Sequence, residues 1–550
     1  MAFTLGEINE AIAATIPERE AIVTAARRLS WRDLQLRTRR LAHLLSDTGL
    51  GCHRSRAELA SWESGQDHLA LYLYNGTEYL EGMIGASKAR VAPFNVNYRY
   101  VEDELRSLLA DARTRAVMYH ASFAPRLASV LRDLPPMALL LQVDDASGEA
   151  LLPGALDYER ALAGATDAPL ATMPSDDDLY IVYTGGTTGM PKGVLWRQAD
   201  IFFAAMGGRV PGQAPIASLD EIVARAPHGE LMRSLAAPPF MHGAGHWVAF
   251  IALHQGGTVV VQANPQRLDP EDIWRTVERE RVFSLAIVGD AFARPLLDAL
   301  RTGRYDLSSL RVIGSGGAIL SPAFKQAFLD LLPGIVVVDG FGASETGAQG
   351  ATFTAAGTEI ATAFRMDEHT VVLDERLTRR LEPGDERVGW LARVGHVPLG
   401  YLGNEAKTRR TYPVIAGVRY AIPGDRAQAA ADGSVRVLGR DAVCINSGGE
   451  KVFAEEVEQA LKRHPAVVDA IVTGTPSKRW GEQVTAVVAL QPGAAVSEEE
   501  LRDAAARDLA RYKLPRAFVF VDAVQRAPTG KADYRWAKET ATAALGRGPR

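Results

Sequence analysis

Residues 183–192 hold three glycines, three threonines and one lysine, in the order Tyr183-Thr184-Gly185-Gly186-Thr187-Thr188-Gly189-Met190-Pro191-Lys192. Glycine lets a backbone come close to a ligand and reach positive φ. Successive backbone N–H groups in such a loop form an anion-binding nest. Threonine hydroxyls add donors and Lys192 adds a charge, so the chemistry indicated is phosphate binding. The apolar run 179–183 reads as the strand that delivers the loop. A P-loop of the NTPase kind is excluded, because that motif needs Gly-Lys-Ser/Thr opening a helix at once. Here Pro191 precedes Lys192 and Gly193 follows it, and neither residue starts a helix in that way.

Further segments carry groups able to work on a nucleotide. Asp339-Gly340-Phe341-Gly342-Ala343-Ser344-Glu345-Thr346 follows the β-branched run 335–338. Ligands of α/β sheets bind at the carboxyl ends of strands, and one carboxylate such as Glu345 plus phosphate suffices for Mg²⁺. Gly314-Ser315-Gly316-Gly317-Ala318 lacks bulky side chains and leaves room for a flat base or an acyl group. Gly424-Asp425-Arg426 offers a carboxylate acceptor for a vicinal diol. Downstream lie Gly439-Arg440-Asp441-Ala442, the turn Ser447-Gly448-Gly449, and Arg526-Ala-Pro-Thr-Gly-Lys531. His242-Gly243 closes the segment Pro238-Pro-Phe-Met. Taken singly, each could be a plain turn, and a lone histidine a structural one.

The chain bounds what can position these groups. Its 550 residues are enough for more than one domain, and a net charge of −5 with no basic stripe argues against nucleic acid. Two cysteines make no disulfide framework or metal cluster, which suits a reducing cytoplasm. No apolar run approaches the ~18 residues of a membrane span, and the N-terminus has no signal-peptide pattern. Ser30, with Asp33 three residues on, predicts a capped helix from Trp31 to about Ser46. Strands are expected at 69–74, 283–288 and 335–338, and a helix opening at Asp269-Pro270. This βαβ rhythm predicts mostly parallel sheets covered by helices. From about 454 the texture changes. Helices are expected from Ala454 and after Ser497, with strands at 467–473, 484–490 and 517–521, making a compact α+β unit. The polar stretch 52–66 reads as a surface insertion.

In this order the segments resemble the adenylate-forming superfamily: acyl- and aryl-CoA synthetases, luciferases and peptide-synthetase adenylation domains. The resemblance spans about Gly49 to Lys531. It implies an α/β fold, in which a large N-terminal domain (1–440) has layered, mostly parallel sheets with helices plus a distorted β-barrel subdomain. A small mobile α+β C-terminal domain (441–550) follows. It implies ATP, Mg²⁺ and coenzyme A as cofactors and a small-molecule carboxylic acid as partner, with a homodimer as a candidate assembly. The acid would be adenylated with loss of pyrophosphate, and the CoA thiol would then displace AMP.

By the same resemblance Thr184, Gly185, Gly186, Thr187, Thr188, Gly189 and Lys192 would hold phosphates. Gly316, Gly317, Ala318, Gly340, Phe341, Gly342, Ser344 and Thr346 would surround the base. Glu345 would bind Mg²⁺, Asp425 and Arg440 the ribose, and Ser447, Gly448 and Gly449 the pantetheine. His242, Gly243 and Gly316 would line the acyl site. Lys531 would be the catalytic lysine of adenylation. Many relatives carry the hinge residue where Ala442 stands; Asp441 is one residue earlier. Stretches 71–76, 88–98, 194–197 and 444–452 resemble actinobacterial synthetases for steroid side-chain carboxylates. Bulky cyclic acids and medium-to-long fatty acids both remain open as substrates. Delivery of acyl-AMP to a carrier protein or another acceptor is the rival activity, and a non-catalytic acyl-nucleotide binder a further one.

Overall fold

The computed structural model describes residues 3–546 apart from 172, 187–188, 210–213, 319, 361–363, 448–449, 478 and 527–530. Two large sheets form the first 360 or so residues. One has nine strands, and its centre is parallel: Glu20–Val23, Thr258–Val260, Arg233–Ala236, Ser284–Ile287, Val312–Gly316 and Val336–Ala343 lie side by side. The other has eight, again parallel inside and antiparallel at the edge, where Gly189–Arg197 lies between Leu179–Gly186 and Gly400–Tyr401. The antiparallel edges are what the simple βαβ rhythm does not reveal.

Local signals behave as their chemistry dictates. Ser30 and Asp33 form a reciprocal capping box on the helix Trp31–Asp47, whose Trp31, Leu34, Leu41 and Leu45 are buried. Asp269 caps Pro270–Arg279. Ser497 and Glu500 cap Glu498–Ala505 in the same reciprocal way. Satisfying the orphan N–H groups of a first turn is worth about 1 kcal/mol per cap.

The expected barrel subdomain is a four-stranded antiparallel sheet, Thr370–Leu373, Gly389–Arg393, Asp425–Ala429 and Val435–Arg440. A five-stranded sheet follows, built on the long hairpin Val467–Ser477 and Gly481–Leu490. It buries its own cluster around Ile445, Val457, Leu461, Val472, Val488 and Phe518. A last helix, Tyr534–Gly546, not among the elements expected from the sequence, covers the sheet's other face through Ala537 and Ala541.

The stretch 52–66 is more than a surface insertion. Cys52 and Gln66 close it with an antiparallel bridge. The Gly403 N–H donates to the Trp62 carbonyl at 2.8 Å, and the Arg409 guanidinium lies 5.4 Å from the Trp62 ring centroid. The insertion thus braces the segment that begins at Tyr401. Among the described residues no helix is long and apolar enough to cross a membrane.

Candidate active site

The glycine–threonine segment folds as a β-hairpin rather than an open loop. Thr184 pairs directly with Lys192, and residues 187 and 188 lie outside the described residues. Gly193 is needed because a Cβ there would stand 2.9 Å from the Tyr183 ring. That ring is pinned by its hydroxyl, which donates to Asp111 at 2.7 Å. Pro191 is tolerated because the strand pairs with Gly400–Tyr401 only further on, at Val194 and Leu195.

Parallel register brings two glycine segments together, with Gly316 opposite Gly340. Gly317 has φ +83° and is open to solvent, and Ala318 is half-buried beside it. Phe341 is half-buried, 5.4 Å from the Phe364 ring, and Gly342 is exposed. The Trp196 indole donates to the Ser344 carbonyl at 2.9 Å, tying this turn to the hairpin. Thr346 is fully buried, and its hydroxyl is engaged by Ala343, Gly347 and Gln349 within the turn. Asp339 is paired with Lys325 at 2.7 Å.

Glu345 is 8 % exposed and accepts a hydrogen bond on Oε1 from the Tyr401 hydroxyl at 2.9 Å. Its Oε2 accepts none among the described residues. Glu345 and that open oxygen suit a hard cation that takes its remaining ligands from phosphate and water. Lys407 lies 3.9 Å from the Tyr401 ring centroid. Burial pushes its ammonium below the usual lysine range; Glu345 opposes this and Lys192 adds to it. Sequence reasoning missed Tyr401 and Lys407. The available signal was Asn404, which caps the helix Glu405–Thr411 through the Lys407 N–H.

Asp425 and Arg440 face each other across two antiparallel strands, with Nε 3.5 Å from Oδ1. Burial raises the Asp425 carboxyl above its ordinary value, against the opposing pull of Arg440. Asp441 follows, its N–H donating to the Gly424 carbonyl at 3.0 Å, and Asp441–Val443 form a single 3₁₀ turn between the four-stranded and the five-stranded sheets. Ser447 is buried at the end of the strand Cys444–Ser447, while residues 448 and 449 lie outside the described residues.

Lys531 comes to the same groove from the small domain. Its side chain stays solvent-exposed overall, yet the protein around its ammonium lowers its pKa. Arg440 adds to that lowering, and Glu345, Asp425 and Glu455 oppose it. Glu455, also missed by sequence reasoning, packs against Gly439, where a Cβ would lie 3.2 Å from its carboxyl carbon. His242 precedes the helix Gly243–His254 without a side-chain capping bond, and its Nε2 is buried with no hydrogen-bond partner among the described residues. Burial, and then the charges of Lys531 and Arg99, hold its pKa down to about 3, so the ring is neutral. The Trp247 ring lies across Gly243, 3.0 Å from a Cβ placed there.

Behind His242 a buried scaffold fixes the turn that carries it. Asn95 donates to the carbonyls of Tyr183 and Met241, at 2.8 and 2.6 Å, and accepts from the Tyr183 N–H. One amide therefore ties the hairpin root to the residue before His242. His246 accepts from the Tyr180 hydroxyl on one ring nitrogen and donates to the Phe240 carbonyl from the other.

Known proteins resemble this chain in sequence and in fold. The family model described as "AMP-binding enzyme" matches residues 9–389, and "AMP-binding enzyme C-terminal domain" matches 456–531. The chain is 53 % identical to the medium-chain acyl-CoA ligase Mig of Mycobacterium avium, covering 98 % of each. It is 40 % identical to the 3-oxocholest-4-en-26-oate–CoA ligase of Rhodococcus rhodochrous, covering 98 % of this chain and 96 % of that one. Among solved structures, the anthranilate CoA ligase AuaEII in complex with anthranoyl-AMP superposes with a TM-score of 0.82 at 21 % identity. It covers 99 % of this chain and 98 % of the other, and shows likeness of fold.

Proposed function

Because the chain belongs to the AMP-binding enzyme family and is an AMP-forming acyl-CoA ligase, we propose that its acid is a hydrophobic aliphatic carboxylic acid. A medium-chain fatty acid is the first choice, on the strength of the 53 % identity to a medium-chain ligase. A steroid side-chain carboxylate is the second reading, favoured by the 40 % identity to a steroid-acid ligase.

One observation carries the site assignment: Lys531 shares its electrostatic surroundings with Glu345, Asp425 and Arg440, which come from separate elements. In-line attack on a phosphate needs positioning and charge neutralisation more than a protein nucleophile. In this reading the Thr184–Lys192 hairpin holds the β- and γ-phosphates, with Lys407 beside it. Asp425 accepts from the ribose hydroxyls, and Arg440 holds Asp425. Phe341 and the Gly316–Ala318 turn flank adenine. Lys531 bridges the incoming carboxylate and the α-phosphate. Mg²⁺, when bound at Glu345, supplies further neutralisation of phosphate charge. Neutral His242 borders the acyl group without competing for a proton.

Rotation about Asp441–Ala442 would then withdraw Lys531 and bring the Ser447–Gly449 turn to the acyl-AMP for attack by the CoA thiol. A cytoplasmic location and a homodimeric assembly belong to the same proposal, and cell fractionation and light scattering test them.

A coupled AMP-release assay over fatty, aryl and steroid carboxylic acids tests the substrate reading. The highest kcat/KM is expected for a medium-chain fatty acid, with release dependent on CoA. A steroid acid ranking first would replace the first reading by the second. Carboxylate-dependent exchange of pyrophosphate into ATP without CoA-dependent AMP release would instead mark an acyl-AMP donor.

A further inference from the structure

The root of the Lys531 segment is bolted to one spot on the small-domain sheet. Arg526 and Ala532 pair as an antiparallel bridge, so the two ends of the segment are held together. Arg526 also grips Asp469 with two parallel hydrogen bonds, both 2.6 Å. Paired Arg–carboxylate contacts of this kind fix orientation as well as distance.

Asp469 lies next to an irregularity. In the hairpin, Val467 pairs with Leu490 and Asp469 with Ala489, so Val468 is an extra residue without a ladder partner. A bulge frees a backbone group and re-aims it. Here the freed group is used: the Val468 carbonyl accepts a hydrogen bond from Arg294 of the large domain at 3.1 Å. Arg294 is steadied by the Phe324 ring, 5.1 Å from its guanidinium carbon. It sits on the helix Gly289–Thr302, one turn after Asp290, so both point to one side. Asp290 Oδ2 lies 3.7 Å from the Lys462 ammonium, which is 4.0 Å from Asp469. Asp290 Oδ1 accepts from the Ser321 N–H at 2.7 Å, which anchors the carboxylate in the large domain just beyond the Gly316–Ala318 turn.

We propose that Arg294 and Asp290 are positioning residues that latch the small domain in the adenylation orientation, by holding the Val468 bulge and Lys462 and thereby the root of the Lys531 segment. They touch the small domain at two points, and both points converge on the Asp469–Arg526 pair. Both contacts cross the domain boundary, so rotation that removes Lys531 has to break them. Their loss therefore weakens adenylation selectively. A residue that merely stabilises the fold would weaken both half-reactions alike. The inference rests on the reading above, in which Lys531 serves adenylation and leaves for thioester formation.

The test uses the full-length enzyme, decanoic acid and prepared decanoyl-AMP. Pyrophosphate–ATP exchange reports adenylation, and decanoyl-CoA formation from decanoyl-AMP reports the second half. Arg294→Ala removes a charged hydrogen bond, for which a loss of about tenfold in exchange kcat is expected, with KM for ATP little changed. Thioester formation from decanoyl-AMP should be unchanged or faster, and it also certifies that the variant is folded. Arg294→Lys should restore part of the exchange rate. Lys462→Gln should shift the same balance in the same direction by a smaller factor. Unchanged exchange in both Arg294→Ala and Lys462→Gln, or equal loss of both half-reactions, overturns the latch. Lys531→Ala run in parallel separates the two ideas. If it loses both halves equally, the moving-lysine reading falls; if it loses exchange alone while Arg294→Ala loses nothing, only the latch falls.

Discussion

The proposed nucleotide groove of the large domain and the Lys531 arm of the small domain are held by different physics. In the groove, facing pairs are set by strand register: Asp425 opposite Arg440, Gly316 opposite Gly340, Thr184 opposite Lys192. A slip of one residue would turn every side chain to the other face, so burial of the sheets enforces the site. The Lys531 arm belongs to a unit with its own core, joined to the rest by a short turn and a few polar contacts. Interfaces of that kind permit domain motion as the default. Under the proposed roles, the difference teaches that one half of the chemistry is permanent and the other is a matter of orientation.

Lys531→Ala should break the comparison most sharply. Adenylation, read by pyrophosphate exchange, is expected to fall by at least ~1000-fold, because a charge placed on the reacting phosphate is lost. Thioester formation from supplied acyl-AMP should be largely spared. Equal loss would mean that the arm is as permanent as the groove.

Asp441→Pro comes next. Arg440 is extended, at φ −80° and ψ 134°, as a residue before proline must be, so the variant fits the observed orientation. It forfeits the hydrogen bond to Gly424, so exchange should fall by no more than about tenfold. A torsion that can no longer change should block thioester formation far more strongly. Retention of both steps would move the hinge away from this residue.

Glu455 sharpens the comparison through pH. In the docked orientation burial, with Glu458 and Asp425 adding and Arg440 and Lys462 opposing, raises its pKa from 4.5 to about 7. The part of that rise supplied by Asp425 exists only when the domains are docked, so the docked state binds the Glu455 proton more tightly. Its support for docking is therefore complete below about 4.5 and is lost as pH rises through about 7. The ratio of exchange to thioester formation should fall between about pH 5 and pH 8, and Glu455→Gln should flatten that profile. An identical slope in the variant would remove Glu455 from the docking balance.

Ser497→Ala should be smallest. Loss of the cap on Glu498–Ala505 costs about 1 kcal/mol in denaturant unfolding of the small domain. Neither half-reaction should change under native conditions. A selective loss of adenylation would show that the small domain's stability, rather than its docking, limits the arm.

Much of the fold was legible because its signals are local. Ser30 with Asp33, Asp269 with Pro270 and Ser497 with Glu500 cap helices where their types and spacing say they should. The strand Leu179–Gly186 that leads into the glycine–threonine segment, the strand Val336–Ala343 and the strands Val467–Ser477 and Gly481–Leu490 also follow from composition, whereas the hairpin formed by the glycine–threonine segment does not. Tyr401, Lys407 and Glu455 were not legible. Tyr401 and Lys407 reach Glu345 only because the short strand Gly400–Tyr401 pairs with Val194 and Leu195, some two hundred residues earlier. Glu455 reaches Asp425 and Arg440 only by docking of one domain on the other. Likewise the stretch 52–66 looked like an idle insertion until Trp62 and Gly403 met.

The amino-acid sequence by itself determined which groups are available, their order along the chain and the class of chemistry they serve, since glycine turns, caps and charged residues act over a few positions. Tertiary structure alone decided which oxygen of Glu345 is held by Tyr401, that Asp425 faces Arg440, and that Arg294 meets the Val468 bulge. Those are choices of register and docking between distant segments. Their energies come from burial and from pairs that no local pattern encodes.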